Sequence, residues 1–218
     1  PPKGGTMHFT VYTGPDPEAC LAELFRRTPL RAGTAVAVTP DARSASGFER
    51  MLASSLGGAF AGHRVYTMEG LAGAVCAQDG PVPETAEPHI RRALAGEIVK
   101  GRMMRGSAWE ALAAYPGFID LLLSWLADIR SGEAEPSDPG LASVAAAYDS
   151  HLRRLGLSDH EGLVTLANGG GLPERFAGAI EGSFIIHGFT ELTRRQALLL
   201  ERISSSARRA AAAVPHDP

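Results

Sequence analysis

The chain has 218 residues, 44% of them hydrophobic and 21% charged, enough to bury a core as one large domain or two small ones without disulfide or metal staples. With 21 Lys+Arg against 24 Asp+Glu the net charge is -3, which excludes a general attraction to nucleic acid or acidic membranes, so any nucleic-acid contact must be local. No apolar run approaches the ~20 residues of a membrane span, and the two cysteines, Cys20 and Cys76, lie far apart without metal-ligand spacing, which fits a reducing, cytoplasmic setting.

Residues 1–6, "PPKGGT", precede Met7 without an apolar signal core or periodicity and read as a tag remnant. Three β-α units follow. A strand over His8 to Thr13 leads to a helix from Pro17 to Arg27; "TAVAVTP" leads to a helix through "ASGFERMLASSL"; "HRVYTMEG" leads to "LAGAVCA". Short β-branched runs alternating with helices predict a parallel sheet covered by helices. A proline-rich linker, Gln78 to Pro88, ends this pattern, and from there to Gly171 nothing reads as a strand. Within that block Phe118, Leu121, Leu122, Trp125, Leu126 and Ile129 share one helical face, and Leu141, Val144, Ala145, Tyr148, Leu152 and Leu155 share another. Such spacing makes Trp125 and Tyr148 core residues rather than base-stacking platforms. Asp159, His160 and Glu161 are adjacent in "SDHEGL" and so diverge on a helix, whereas Ser158 and Glu161 have capping-box spacing. No metal site is predicted there. After "NGGG" the β-α pattern resumes with the strand "GSFIIHGF", the helix "TRRQALLLERISSSA" and a further possible strand, "AAAAV". The expected organisation is an α/β domain of residues 7–80 and 172–218, incomplete and interrupted by an all-α insertion over 81–171.

The first unit, "FTVYTGPDPEACLAEL", has the outline of a phosphate-binding loop, in which backbone N–H groups and a lysine hold phosphates between a strand and a helix. Laid on that frame from Gly14, the chain places Ala19, Cys20 and Leu21 where glycine, lysine and serine or threonine belong. Asp16 and Glu18 put carboxylates where phosphate oxygens would lie, although acidic side chains suit an unoccupied helix N-terminus.

An interrupted α/β domain opening on this outline resembles the first RecA-like motor domain of superfamily I helicases. More narrowly it is similar to the amino-terminal part of the AddB-type subunit of bacterial ATP-dependent helicase-nucleases. The phrases that carry the likeness, in the family's order, are "VYTGPD", "VAVTPDARSASGFERML", "VYTMEGLAGAV", "AYPGFIDLLLSWLADIR", "VAAAYDSHLRRLGLSDHEGL" and "IIHGFTELTRRQALLLE", together spanning most of residues 8 to 214. The resemblance implies a RecA-like parallel sheet with helices on both faces and an inserted helical subdomain. It also implies a parent protein acting as an ATP-dependent exonuclease subunit in double-strand break repair and recombination, with ATP and Mg²⁺ as cofactors of the parent complex. An active loop needs the lysine charge and a hydroxyl on Mg²⁺; Cys20 and Leu21 supply neither. Where the family carries an aspartate that helps hold Mg²⁺, this chain has His187, a poor ligand for a hard cation.

The implied role of this piece is therefore a non-catalytic scaffold, without a cofactor of its own, that binds single-stranded DNA and a helicase-nuclease partner subunit. The family's strand-contacting turns map to Thr39, Arg43 and Thr67, of which Thr39 also suits a helix cap ahead of Pro40 and Thr67 a strand end. Two other readings stay open: an enzyme that binds nucleotide at the α-helical N-terminus without lysine, and a protein-docking module that touches no DNA.

Overall fold

In a computed structural model of the chain, the described residues are 8–14, 17–27, 35–55, 64–77, 80–101, 109–115, 117–170, 172, 176 and 182–215. They form β1 (His8–Gly14), α1 (Pro17–Arg27), β2 (Ala35–Thr39), α2 (Ala42–Ser55), β3 (Arg64–Thr67), α3 (Met68–Cys76), β4 (Glu84–Thr85), α4 (Pro88–Lys100), α5 (Phe118–Ser131), α6 (Pro139–Arg154), β5 (Leu157–Ser158), α7 (His160–Gly169), β6 (Ser183–His187), α8 (Arg194–Ser206) and β7 (Arg209–Pro215). The chain divides into two compact units, Pro1–Gly80 with Ala167–Leu192 and Gln196–Pro218, and Pro81–Leu166 with Thr193–Arg195.

The first unit is α/β. Its five-stranded sheet runs in the order β1-β7-β6-β2-β3, and every pairing is parallel. This order is consistent with a RecA-like arrangement. The chain crosses from β1 to β2 and on to β3 in one direction, then steps back to β6 and β7. Right-handed crossovers then place α1 and α2 on one face and the returning connections on the other. Side-chain burial follows this division. Cys20, Leu21 and Leu24 of α1 and Phe48 and Leu52 of α2 pack with Ala37, Ile185, Ala211 and Ala213 of the strands. The residues that alternate onto the opposite face, Val36, Val38, Phe184, Ile186, Ala210 and Ala212, are equally buried. The alanine-rich run read as a possible strand is β7, which sits inside the sheet between β1 and β6. Arg202 holds the end of α7 by donating Nη1 to the carbonyls of Asn168 and Gly170 and Nη2 to that of Ala167, at 2.5–2.8 Å, acceptors that a helix C-terminus leaves without intrahelical partners.

The second unit has a helical core of Leu94, Ala95 and Ile98 from α4, Phe118, Leu122 and Leu126 from α5, and Val144, Tyr148 and Leu152 from α6. Tyr148 is a core residue and Trp125 is partly buried against the same cluster. Leu121 and Leu155, placed on the core stripes by their spacing, are 45% and 51% exposed. Leu155 has already left the helix as the residue after Arg154, and Leu121 lies outward of the Phe118–Leu122–Leu126 row.

The expectation of an all-α block is also corrected. Glu84–Thr85 pairs in parallel with Leu157–Ser158, with Glu84 N donating to Gly156 O at 3.1 Å and Ala86 N to Ser158 O at 2.7 Å. A ladder this short has no periodicity to read.

The capping box at Ser158 is likewise replaced. Asp159 is the cap, with Oδ1 accepting from Gly162 N at 2.8 Å, and it also receives Arg130 through Nε and Nη2 at 3.1 and 2.8 Å. Arg130 pairs in addition with Asp149 and lies over the Tyr148 ring at 5.7 Å. A Cβ on Gly162 would stand inside contact distance of Arg130 Nη2, Ser158 Oγ and Asp159 Oδ1, whereas one on Gly47 in α2 would meet open space. Gly162→Ala is therefore expected to lower stability by about 1–3 kcal/mol through overpacking, and Gly47→Ala to raise it by about 0.5–1 kcal/mol through backbone entropy. Urea unfolding followed by circular dichroism measures both.

Candidate functional site

Because all five strands are parallel, their carboxyl ends share one edge of the sheet, which is where open α/β sheets bind ligands. Register aligns the sequence-predicted positions there. Tyr12 pairs with Ala213 and Ala213 with His187, so they form one row across the sheet, and Gly14 follows at the end of β1. Val38 pairs with Ile186 and Thr39 with Thr67, which puts Thr39 and Thr67 at the same edge. The topology thus sets Gly14, His187, Thr39, Thr67 and, in the first turn of α2, Arg43 along one edge. With β7 between them, β1 and β6 are about 9.6 Å apart.

The phosphate-loop positions do not face this edge. With α1 starting at Pro17, Cys20 and Leu21 lie a turn inside the helix. Both are buried, Leu21 completely, in the cluster that packs α1 and α2 on the sheet. Ala19 is exposed. Asp16 and the side chain of Glu18 lie outside the described residues. A lysine or hydroxyl at positions 20 and 21 would enter the core, so these residues do not fit an ATP·Mg²⁺ site.

His187 ends β6 on the same sheet face as Ile185. It is 8% exposed, its ring is tilted against that of Phe48 with centroids 5.5 Å apart, and Phe48 in turn meets Phe25 edge-on at 5.7 Å. Nδ1 is buried without a hydrogen-bond partner. Burial holds its pKa below the ordinary histidine range, so the ring is neutral near pH 7. The next residue, Gly188, has φ +80°, and a Cβ there would meet Pro40 Cδ at 3.5 Å. Pro40 and Gly188 therefore close together where the chain leaves β2 and β6 toward opposite faces, the crevice in which such folds hold ligands. Glu191 is exposed in the segment before α8.

The three DNA candidates differ in what they can offer. Thr39 is fully buried, and its hydroxyl lies 3.2 Å from Asp41 O and 3.3 Å from Tyr66 O. It ties β2 to β3 and presents nothing to a ligand. The cap of α2 is Asp41, not Thr39: Ser44 N donates to Oδ1 at 2.8 Å and Ser44 Oγ to Oδ2 at 3.1 Å. The Ser44 N–H above all holds the Asp41 carboxyl below its usual range. The signal for this was legible, an aspartate three residues before serine at the head of an apolar helix. Thr67 is half-buried and caps α3, accepting from Gly70 N at 3.0 Å. Arg43 is exposed. Carboxylates thus stand at the N-termini of both α2 and α3, through Asp41 and Glu69, and Arg43 lies close enough to Asp41 for its charge to help hold that carboxyl down.

No protein-family model matches the chain, and no curated protein sequence matches it. Among the described residues no helix is long and apolar enough to cross a membrane.

The neutral state of His187 has a thermodynamic consequence. The unfolded chain binds a proton at this residue near pH 6.5, whereas the folded chain binds it only at lower pH. Its unfolded form therefore gains protons first, and stability is lost as pH falls from about 6.5 through the folded pKa. His187→Phe is expected to flatten this part of the dependence, so the drop in melting temperature between about pH 7.5 and 5.5 becomes smaller than in the unaltered chain.

Proposed function

We propose that this chain is the amino-terminal, motor-like but ATPase-degenerate part of an AddB-type helicase-nuclease subunit, a scaffold that guides single-stranded DNA and docks a partner motor subunit in double-strand break repair and recombination. The observation that carries this reading is the burial of the positions that would have to serve ATP. The places that need a lysine, a hydroxyl and an acid for ATP hydrolysis hold Cys20, Leu21 and His187, all buried. Holding a strand by its phosphates requires none of those groups, since backbone contacts need only donors and positive charge. On the carboxyl edge of the sheet Arg43 is the principal phosphate contact and Thr67 a minor one, while Thr39 supports the turn that presents them. ATP and Mg²⁺ belong to the parent complex. Its second RecA-like domain and its nuclease domain would lie beyond these residues, in a cytoplasmic protein.

Two measurements test the reading. Titration calorimetry with ATP and Mg²⁺ is expected to give no binding; tight Mg²⁺-dependent binding would favour a nucleotide enzyme working through the α1 N-terminus. Fluorescence anisotropy of labelled oligothymidylate is expected to show binding that weakens as salt rises. Arg43→Ala should reduce the slope of log K against log salt by about 0.7, the value for one contact to a single strand. Absence of binding at low salt would point instead to a protein-docking module.

A further inference from the structure

Among the described strands β1 ends the sheet, with β7 as its one neighbour. An all-parallel sheet is ordinarily covered on both faces, whereas β1 is covered on one. There α1 packs on it, and Tyr12 lies against the α1–α2 cluster. Phe9 and Val11 alternate onto the other face, in register with Ala210 and Ala212, and are 45% and 52% exposed. The outer edge is equally bare. Proteins usually blunt an edge strand with charge, proline or a bulge, but "HFTVYTG" has no Lys, Arg, Asp, Glu or Pro, and its register with β7 runs unbroken over the whole strand.

The order of residues in the strand selects what fits it. Phe9 to Thr13 are all aromatic or β-branched, and they are self-complementary about Val11. An antiparallel copy centred there sets Phe9 against Thr13 and Thr10 against Tyr12, aromatic–β-branched pairs of the kind that stabilise sheets, with Val11 against its own copy. A two-fold axis brings like residues together, so a charged strand would repel itself. This strand has no acid, lysine or arginine with which to do so.

We propose that this edge is an interface between two copies of the chain. β1 pairs antiparallel with β1 of a second copy about Val11, joining the two sheets into one, and Phe9 and Val11 of both copies form a single apolar strip on the face opposite α1. The interface is independent of the DNA reading. Sedimentation velocity on the intact chain is expected to show a species of twice the 22.9 kDa chain mass that grows with concentration and goes no further, since a two-fold interface closes on itself. Val11→Lys sets two ammonium groups across the axis and should raise the dimer Kd about tenfold or more, with the circular dichroism spectrum retained because Val11 is exposed in the single chain. Under mild oxidation Val11→Cys should cross-link two copies, its Cβ facing its counterpart at about 4.5–5.5 Å. Phe9→Cys, about 13 Å from its counterpart along the strands, should not exceed the background set by Cys20 and Cys76 in the unaltered chain. A monomer at every concentration, open-ended association, a dimer unaffected by Val11→Lys, or equal cross-linking of the two cysteine variants would each overturn the proposal. If Val11→Lys does not fold, the comparison of Val11→Cys with Phe9→Cys still decides it.

Discussion

A parallel strand covered on both faces has no solvent side for a polar group, and every residue of β2 and β6 is buried. Polar side chains are tolerated in such strands only where they find partners or stay neutral. Thr39 finds carbonyls. His187 stays neutral against Phe48. A carboxylate at position 187 would lose its hydration beside an aromatic ring, and its pKa would rise unless a cation compensated it. An acid at that position would therefore need a cation beside it, whereas a neutral imidazole does not.

The phosphate-loop positions 20 and 21 are also turned away from this edge. Beginning α1 at Pro17 directs Leu21 and Leu24 onto the sheet, so a lysine at position 20 would place its stem among Phe48, Ile185 and Ala211. The helix would have to start later and the preceding turn lengthen before that charge could reach a phosphate. Two further features belong to this edge, Pro40, which a Cβ on Gly188 would meet, and the Asp41 carboxylate that caps α2.

The sheet was legible because its signals are long and redundant. "AVAV" and "FIIH" are continuous apolar runs, and each is followed by a helix with a clear buried stripe. What escaped was short or non-local. The ladder between Glu84–Thr85 and Leu157–Ser158 joins segments more than seventy residues apart by a few backbone bonds, and backbone bonds leave no mark on side-chain pattern. Leu121 and Leu155 satisfied a helical period that tertiary packing did not use. Residue identity alone marked Cys20, Leu21 and His187 as departures from the phosphate-loop and acid patterns, whereas the burial of Thr39 depended on Tyr66, twenty-seven positions away, which no local rule connects to it.

The same distinction accounts for the charged cluster of the second unit. Asp159 reads from the sequence only as one acid in a run of polar residues, but its Oδ1 is shared between the Gly162 N–H and the Arg130 guanidinium. A buried carboxylate that receives both a helix N-terminus and an arginine is compensated twice over, which is the condition under which a buried ion is retained. Arg130 in turn carries its charge between two aspartates and over an aromatic face, so removing either carboxylate changes the balance of the whole group rather than of one pair. Gly162 is what allows the arrangement, since any side chain there would occupy the space of the guanidinium. Stability in this unit thus rests on a missing side chain as much as on the charges around it.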